Sequence, residues 1–271
     1  MSPRRALAAL VAAGGCAVTA ALVWLAAYHI APFEAIDHRT FDGFLGLSRP
    51  ATTGWALRGS HLADPGPFAL FAAALVIAAL ARRRARTAGA VGLILLGSNV
   101  TTQVLKPALA MPPGFPGMET ATWPSGHATA AMALGLCLVL VAPVRLRPLA
   151  AAAGGLFALA VASSVLILGN HQPSDVIGGF LVAGAWAGLA VAGLRAFAAD
   201  RDPALRIAAA LRPSVLAAGG LAVAVGALAL AHGREALDYA AGHTTFMAGA
   251  AVIAAGAMGM AGAAALALTR R

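Results

Sequence analysis

Charged residues are scarce in this 271-residue sequence, and the scarcity limits its class. Only 11% of the residues are Asp, Glu, Lys or Arg, whereas 60% are hydrophobic and the mean hydropathy is +0.82. Water-soluble globular domains carry about 25% charged residues, so this composition excludes one. The chain is therefore predicted to be an integral membrane protein with several spans.

Cysteine is almost absent, and aromatic residues make up only 6% of the chain. The two cysteines, Cys16 and Cys137, both fall inside apolar runs, which argues against a disulfide framework or a cysteine-rich metal site. Tyr28 and Trp123 fall near the ends of apolar runs, where aromatic residues commonly meet lipid headgroups. Neither is expected to have a functional role.

Apolar runs of the length that crosses a bilayer, about 17 to 25 residues, recur along the chain. They predict an all-α fold, a polytopic membrane helix bundle whose first span is retained rather than cleaved as a signal peptide. The predicted spans are Ala6–Ile30, Pro67–Leu80, Thr87–Leu105, Ser125–Val141, Leu149–Gly169, Ser174–Leu194, Val215–Ala231 and Thr244–Leu268.

Basic residues are distributed unevenly between the loops. With the N-terminus in the cytoplasm, 14 of the 19 Lys and Arg residues lie inside, and the other five, Arg39, Arg49, Arg58, Lys106 and Arg234, lie outside. The positive-inside rule then places both termini in the cytoplasm. The formal charge of +9 is accordingly interpreted as a topology signal, and no nucleic-acid partner is expected.

Two polar segments lie on the predicted outer side. Residues 31–66 carry apolar and charged side chains at helical spacing, which predicts an interfacial amphipathic helix that forms either a lid or a surface hairpin. Residues 106–123 are rich in Pro and Gly. All seven histidines fall on this side, but no pair has the i, i+4 spacing of a zinc site, so neither a metal nor another cofactor is expected.

The sequence Pro124-Ser125-Gly126-His127 precedes an apolar helical run. Ser125 suits the N-cap, and a helix start presents backbone N–H groups that bind phosphate. Gly126 leaves room for a phosphate oxygen, and an imidazolium at His127 could protonate a leaving alkoxide. A plain helix-entry turn is the alternative interpretation.

The sequence His171-Gln172-Pro173-Ser174-Asp175 precedes another apolar run. Pro173 suits the first helical position and Asp175 the third, from which its carboxylate can fold back toward His171. Asp175 would hold one ring nitrogen protonated and leave the other free to attack phosphorus. Alternatively, Asp175 only stabilises the helix dipole.

Lys106 ends a span on the same side as both histidine motifs, although snorkelling would also explain its position. These three elements resemble the type 2 phosphatidic acid phosphatase family, whose pattern is a lysine-and-arginine stretch, then Pro-Ser-Gly-His, then Ser-Arg-x5-His-x3-Asp. The resemblance covers the first six spans. It implies a phosphatase-like core in residues 1–195, followed in residues 196–271 by a cytoplasmic loop and two additional spans.

The resemblance also implies the roles of the site residues. His171 is similar to the nucleophile that forms a phosphohistidine, Asp175 to its orienting group, and His127 to the acid that protonates the leaving group. Ser125, Gly126 and Lys106 would bind phosphate oxygens.

Both arginines of the family pattern are missing. No arginine follows Lys106 in the first motif, and Ser164-Val165 stands where the family has Ser-Arg. Losing such a contact to the phosphoryl group costs on the order of 2 to 4 kcal/mol. Our hypothesis is that the missing charge is compensated by an arginine from an outer segment, which would be Arg39, Arg49, Arg58 or Arg234, or by a neutral hydrogen bond from Asn170.

The sequence therefore predicts a metal-independent phosphatase that acts on a lipid phosphate or diphosphate, such as that of a polyprenol or diacylglycerol, at the outer leaflet. The expected partners are this phosphorylated lipid and the bilayer, and the oligomeric state is left open. A lipid phosphotransferase on the same scaffold and a degenerate, non-catalytic lipid-binding protein are the two alternatives.

Overall fold

The computed structural model describes residues 3–109, 123–196 and 233–269, which are almost entirely helical. No strand occurs within these ranges, so the predicted all-α fold is confirmed. The helices are α1 (Pro3–His29), α2 (Ala31–Leu45), α3 (Pro50–His61), α4 (Pro65–Ala81), α5 (Ala85–Ala108), α6 (Gly126–Val141), α7 (Arg147–Ile167), α8 (Pro173–Ala196), α9 (Gly233–Gly242) and α10 (Thr244–Thr269).

Five segments within the described ranges are long and apolar enough to cross a bilayer alone: α1, α5, α7 with the short 3-10 turn before it, α8 and α10. Helices α3 and α4 meet at a 50° bend, which makes the pair either one broken span or a re-entrant loop. Helix α6 has 16 residues and is therefore only about 24 Å long. Seven predicted spans thus correspond to helices, and the eighth, Val215–Ala231, lies outside the described residues.

Helix α6 is the centre of the bundle. Thirteen of its 16 residues are buried, because α4, α5, α7, α8 and α10 all pack against it. Its backbone comes close to that of α7, where a Cβ on Gly135 would lie 2.8 Å from the carbonyl oxygen of Gly154. Only glycine permits this backbone approach, which is how small residues bring membrane helices together.

Helix α10 packs into the bundle rather than beside it. Ile253, Ala257, Ala261 and Ala265 recur every four residues and are buried, so one face of α10 is covered by its neighbours. These neighbours are α7, α2, α6 and α8. The additional C-terminal segment is therefore joined to the core through a continuous apolar stripe.

Arginines at one end of the bundle bind the C-termini of helices. Arg82 and Arg84 donate to the last carbonyls of α6, at Leu140 and Val141. Arg147 donates to the carbonyl of Leu268 and Arg195 to that of Ala267, both at the end of α10. Because the last carbonyls of a helix have no intrahelical donor and carry negative partial charge, these arginines stabilise the helix ends.

The predicted amphipathic segment folds as two helices, α2 and α3. The buried residues of α2 are Asp37, Thr40, Gly43 and Phe44, which follow helical spacing. Against this face lie α1, α7, α8 and α10, and a Cβ on Gly249 of α10 would lie 2.3 Å from the Thr40 side chain. In this structure α2 is thus a packed part of the bundle that covers the N-terminus of α8.

Candidate active site

Helix α6 begins as its sequence predicts. Ser125 is the N-cap, and its hydroxyl accepts a hydrogen bond from the N–H of Ala128 at 3.3 Å. By helix geometry the N–H groups of Gly126 and His127 have no intrahelical carbonyl to bind, so they are suited to an anion. The helix starts next to a cis peptide bond between Trp123 and Pro124.

The two histidine motifs are joined directly through the backbone. The N–H of Ser125 donates to the carbonyl oxygen of Asp175 at 3.0 Å. Two glycines of α8 permit this approach: a Cβ on Gly179 would lie 2.8 Å from the Ser125 carbonyl oxygen, and one on Gly178 would strike the indole of Trp123. Trp123 is therefore buried within the protein, with 4% exposed.

Asp175 and His171 form the predicted carboxylate–imidazole pair. Nδ1 of His171 lies 3.3 Å from Oδ2 of Asp175, and the same oxygen accepts the N–H of Gln172 at 2.9 Å. Pro173 is the first residue of α8, so Asp175 is the third and folds back as expected. Asp175 is fully buried and His171 is 7% exposed.

The remaining oxygen of Asp175 binds a residue that the sequence did not indicate. Tyr28, at the end of α1, donates its hydroxyl proton to Oδ1 of Asp175 at 2.6 Å. The sequence predicts no functional role for Tyr28, because its position is that of an ordinary interfacial aromatic residue. No local signal could have found the contact, since 147 positions separate the two residues.

Lys106 reaches the start of α6 from the end of α5. Its Nζ atom lies 3.8 Å from the position that a Cβ of Gly126 would occupy, and it is close enough to Asp175 for an electrostatic interaction. A cationic amine, a helix start and the His171–Asp175 pair thus meet in one place. Lysine is a point charge suited to phosphate oxygens at such a site.

His127 has a second unexpected partner. Its Nε2 atom lies 3.1 Å from Oδ1 of Asp64, and Oδ2 of Asp64 lies 2.7 Å from Nδ1 of His61. Asp64 is in the bend between α3 and α4. Hydrogen bonds from His61 and then His127 hold the pKa of the Asp64 carboxyl below its ordinary value.

Asp37 is a further buried carboxyl close to these residues. Its two oxygens accept the N–H of Ser174 at 2.9 Å and the Ser174 hydroxyl at 2.6 Å. Burial raises the pKa of Asp37 to about 7, although the two hydrogen bonds from Ser174 oppose that rise. Asp37 thereby holds the first turn of α8, which contains Asp175.

The turn between α7 and α8 carries the last predicted phosphate ligand. Gly169 has a φ of 74°, a left-handed conformation that glycine adopts without strain, and it ends α7 beneath Leu45 of α2. Asn170 follows it and is exposed beside His171.

The four arginines proposed as substitutes are all exposed. The guanidinium of Arg58 lies over the ring of Trp55, 5.1 Å from its centroid. Arg49 is near enough to Tyr239 to affect its hydroxyl electrostatically. Within the described ranges, no group of three His, Cys, Asp or Glu side chains has the arrangement of a metal site.

An apolar cavity of about 710 Å³ lies beside the first turn of α8, between α1, α2, α8 and α10. Asp37 and Ser174 contribute polar atoms to it. Much of its wall is aliphatic, formed by Leu22, Val23, Ile36, Ile177, Ala248 and Val252. Pockets of this size hold small organic ligands.

One segment of this helical membrane bundle, which carries both histidine motifs, matches a known family. The model of the PAP2 superfamily matches residues 87–198, so this segment of the chain belongs to that superfamily. It contains Lys106 and both histidine motifs. Tyr28, Asp37 and Asp64 come from residues that precede it.

A solved structure with a similar fold is the "first transmembrane PAP2 type phosphatidylglycerolphosphate phosphatase from Bacillus subtilis". The TM-score is 0.58 at 18% sequence identity, and the match covers 70% of this chain and 99% of that chain. At this identity the likeness is one of fold. A comparison with curated protein sequences gives no match.

Proposed function

We propose that this protein is an integral membrane phosphatase that hydrolyses a lipid phosphate or diphosphate monoester through a phosphohistidine. The observation that carries the proposal is the buried His171–Asp175 pair. The carbonyl oxygen of Asp175 accepts a hydrogen bond from the N–H of Ser125, at the start of α6 beside Lys106. A nucleophile with an orienting carboxylate, next to a site for an anion, is the arrangement that phosphoryl transfer requires.

In the first step the ester bond is exchanged for a nitrogen–phosphorus bond. Asp175 lies against Nδ1 of His171 and favours a proton there, which leaves the lone pair of Nε2 free to attack phosphorus. As the phosphorus–oxygen bond to the lipid breaks, His127 gives its proton to the leaving oxygen. The products are phosphohistidine and a lipid alcohol, or a lipid monophosphate where the substrate is a diphosphate.

In the second step water replaces His171 on phosphorus. The neutral His127 accepts a proton from the attacking water, which restores its imidazolium form. The nitrogen–phosphorus bond breaks and inorganic phosphate leaves. Protons balance over the two steps, and His171 returns to its initial state.

The phosphate oxygens would be bound by Lys106, by Asn170 and by the N–H groups of Gly126 and His127, which are the first two residues of α6 after its N-cap Ser125. An arginine from an outer segment completes this set in our proposal. Alanine at each of Arg39, Arg49, Arg58 and Arg234 tests it. Unchanged phosphate release in all four variants would exclude an arginine from these positions.

Three features support a lipid substrate at the outer leaflet. The site lies at the ends of α5, α7 and α8, which are helices long enough to span a membrane, and this supports a position at the depth of a headgroup. The apolar cavity beside α8 offers a place for hydrocarbon. The arginines that bind helix ends lie at the opposite ends of α6 and α8, and the positive-inside rule puts those ends in the cytoplasm.

The decisive experiment measures phosphate released by the purified protein from a panel of phosphorylated lipids, with and without a chelator, and from a short-chain soluble phosphate ester. We expect release from at least one lipid, unaffected by chelator, and loss of release in His171→Ala and in His127→Ala. Turnover retained in either variant would reject the assigned roles.

A second assay adds an alcohol acceptor. Phosphoryl transfer to the acceptor without phosphate release would identify a phosphotransferase on the same scaffold. Neither activity with any lipid would leave the non-catalytic lipid-binding alternative.

A further inference from the structure

Asp64 occupies a position where a carboxylate usually serves a different purpose. It is the N-cap residue of α4, and an N-cap aspartate ordinarily accepts backbone N–H groups of its own helix. Here the side chain makes no such bond. Its two oxygens contact two imidazoles instead, one from the end of α3 and one from the start of α6.

We propose that Asp64 is a positioning residue for His127: it orients the ring and favours its imidazolium form, while His61 fixes the carboxylate from the other side. This inference rests on the proposed function, in which His127 must hold a proton before the leaving oxygen departs. Asp64 does not touch the phosphate in this scheme. It acts through the ring that does.

Three other charged or titratable groups surround the start of α6. Lys106 approaches from α5, and its Nζ atom lies 3.8 Å from the position of a Cβ on Gly126. His171 and Asp175 approach from the α7–α8 side, and there Asp175 is already bonded to His171, Gln172 and Tyr28. Among the described residues, Asp64 from the α3–α4 bend contacts His127 with its carboxylate.

Geometry suits Asp64 to this role. The Nε2–Oδ1 distance of 3.1 Å is that of a hydrogen bond, and the bend between α3 and α4 brings the carboxylate to a helix 63 positions away in sequence. The side chains of His127 and Asp64 are 35% and 37% exposed, so the leaving oxygen can take the place of Asp64 at Nε2 while water solvates the released carboxylate.

The test is the pH dependence of kcat for phosphate release by Asp64→Asn. Loss of the negative charge should shift the alkaline limb to lower pH by roughly one unit, so that kcat falls about tenfold on that limb. KM should stay the same or fall, because a carboxylate has been removed from the mouth of an anion site. Asp64→Glu should restore part of the shift, and His61→Gln should give a smaller shift in the same direction.

Asp42→Asn is the matched control, because Asp42 is an exposed carboxylate on α2, within the same outer segment. Its profile should equal that of the wild type. An alkaline limb that stays in place in folded Asp64→Asn would overturn the proposal. So would an equal shift in Asp42→Asn, because the effect would then be one of general surface charge.

A readout independent of turnover separates this proposal from the function on which it rests. The NMR signals of the His127 ring, followed against pH, should titrate at lower pH in Asp64→Asn than in the wild type. Titration at the same pH would overturn the inference even if the enzyme is active. A wild type that releases no phosphate while the ring responds as expected would instead refute the proposed function and leave the pairing intact.

Discussion

At the scale of single residues, Asp175 is held by contacts that come from two parts of the chain. His171 and Gln172 are its sequence neighbours, whereas Tyr28 comes from α1. A carboxylate bound at both oxygens cannot rotate freely, so it also holds the imidazole ring of His171 in one orientation. Precise orientation of the nucleophile is a large part of catalysis by such pairs.

Replacing Tyr28 by Phe tests this arrangement. The variant removes one hydrogen bond to a carboxylate, worth about 1.5 to 3 kcal/mol, and we expect kcat for phosphate release to fall roughly tenfold to a hundredfold. Tyr239→Phe is the matched control, since its hydroxyl donates to the carbonyl of Gly43, between α9 and α2. Equal losses in the two variants would mean that the effect is structural.

Asp37 gives the protein a pH-dependent stability. The pKa of Asp37 is about 7 in the folded state because the carboxyl is buried, whereas an unfolded Asp ionises near pH 4. Between these values the folded state binds more protons than the unfolded state, so the contribution of Asp37 to stability falls as pH rises from about 4 to 7.

The variant Asp37→Asn should remove that dependence. In detergent, its melting temperature relative to the wild type should rise by roughly 2 to 4 °C between pH 5 and pH 8. Asp42→Asn serves as the control, because Asp42 is exposed. A difference between Asp37→Asn and the wild type that is the same at both pH values would contradict this account.

At the scale of helices, glycines decide which pairs can meet. Gly135 and Gly154 let α6 and α7 cross with their backbones in contact, and Gly179 lets the start of α6 lie on α8. A helical pattern predicts the helices, but it does not say which small residues face each other. The same holds for α2, whose amphipathic pattern was evident while its role as a packed cover over α8 was not.

Gly135→Ala should destabilise the bundle, because its Cβ would lie 2.8 Å from the Gly154 carbonyl oxygen and backbone cannot move aside cheaply. The expected cost is about 1 to 3 kcal/mol, measured as a lower melting temperature in detergent. Gly92→Ala on α5 is the control, as its Cβ would meet no atom within 4 Å. That variant should be as stable as the wild type or more stable, because alanine favours a helix.

At the scale of the whole molecule, the two ends of the bundle differ in chemistry. One end carries Lys106, the two histidine motifs and the Asp64 bend. The other carries Arg82, Arg84, Arg147 and Arg195 on the ends of helices. If the positive-inside rule orients the protein, these arginines lie in the cytoplasm and the site lies outside.

Labelling of single cysteines in intact cells tests this orientation. In a variant with Cys16 and Cys137 replaced by alanine, a membrane-impermeant thiol reagent should label Ser48→Cys, in the α2–α3 turn at the site end. It should label Val144→Cys, in the α6–α7 turn, only after the membrane is permeabilised. Both positions are exposed, so the reverse pattern would show that the site faces the cytoplasm.

The sequence by itself determined what depends on near neighbours and on composition. Long apolar runs predict helices in a membrane. Ser125 caps α6, and the spacing from Pro173 to Asp175 turns the carboxylate back to His171. Both of these contacts join residues only a few positions apart. Only the tertiary structure decided the partners of those residues. Tyr28, Asp64 and Asp37 reach the site from 147, 63 and 137 positions away, and contacts over such distances depend on how the helices pack.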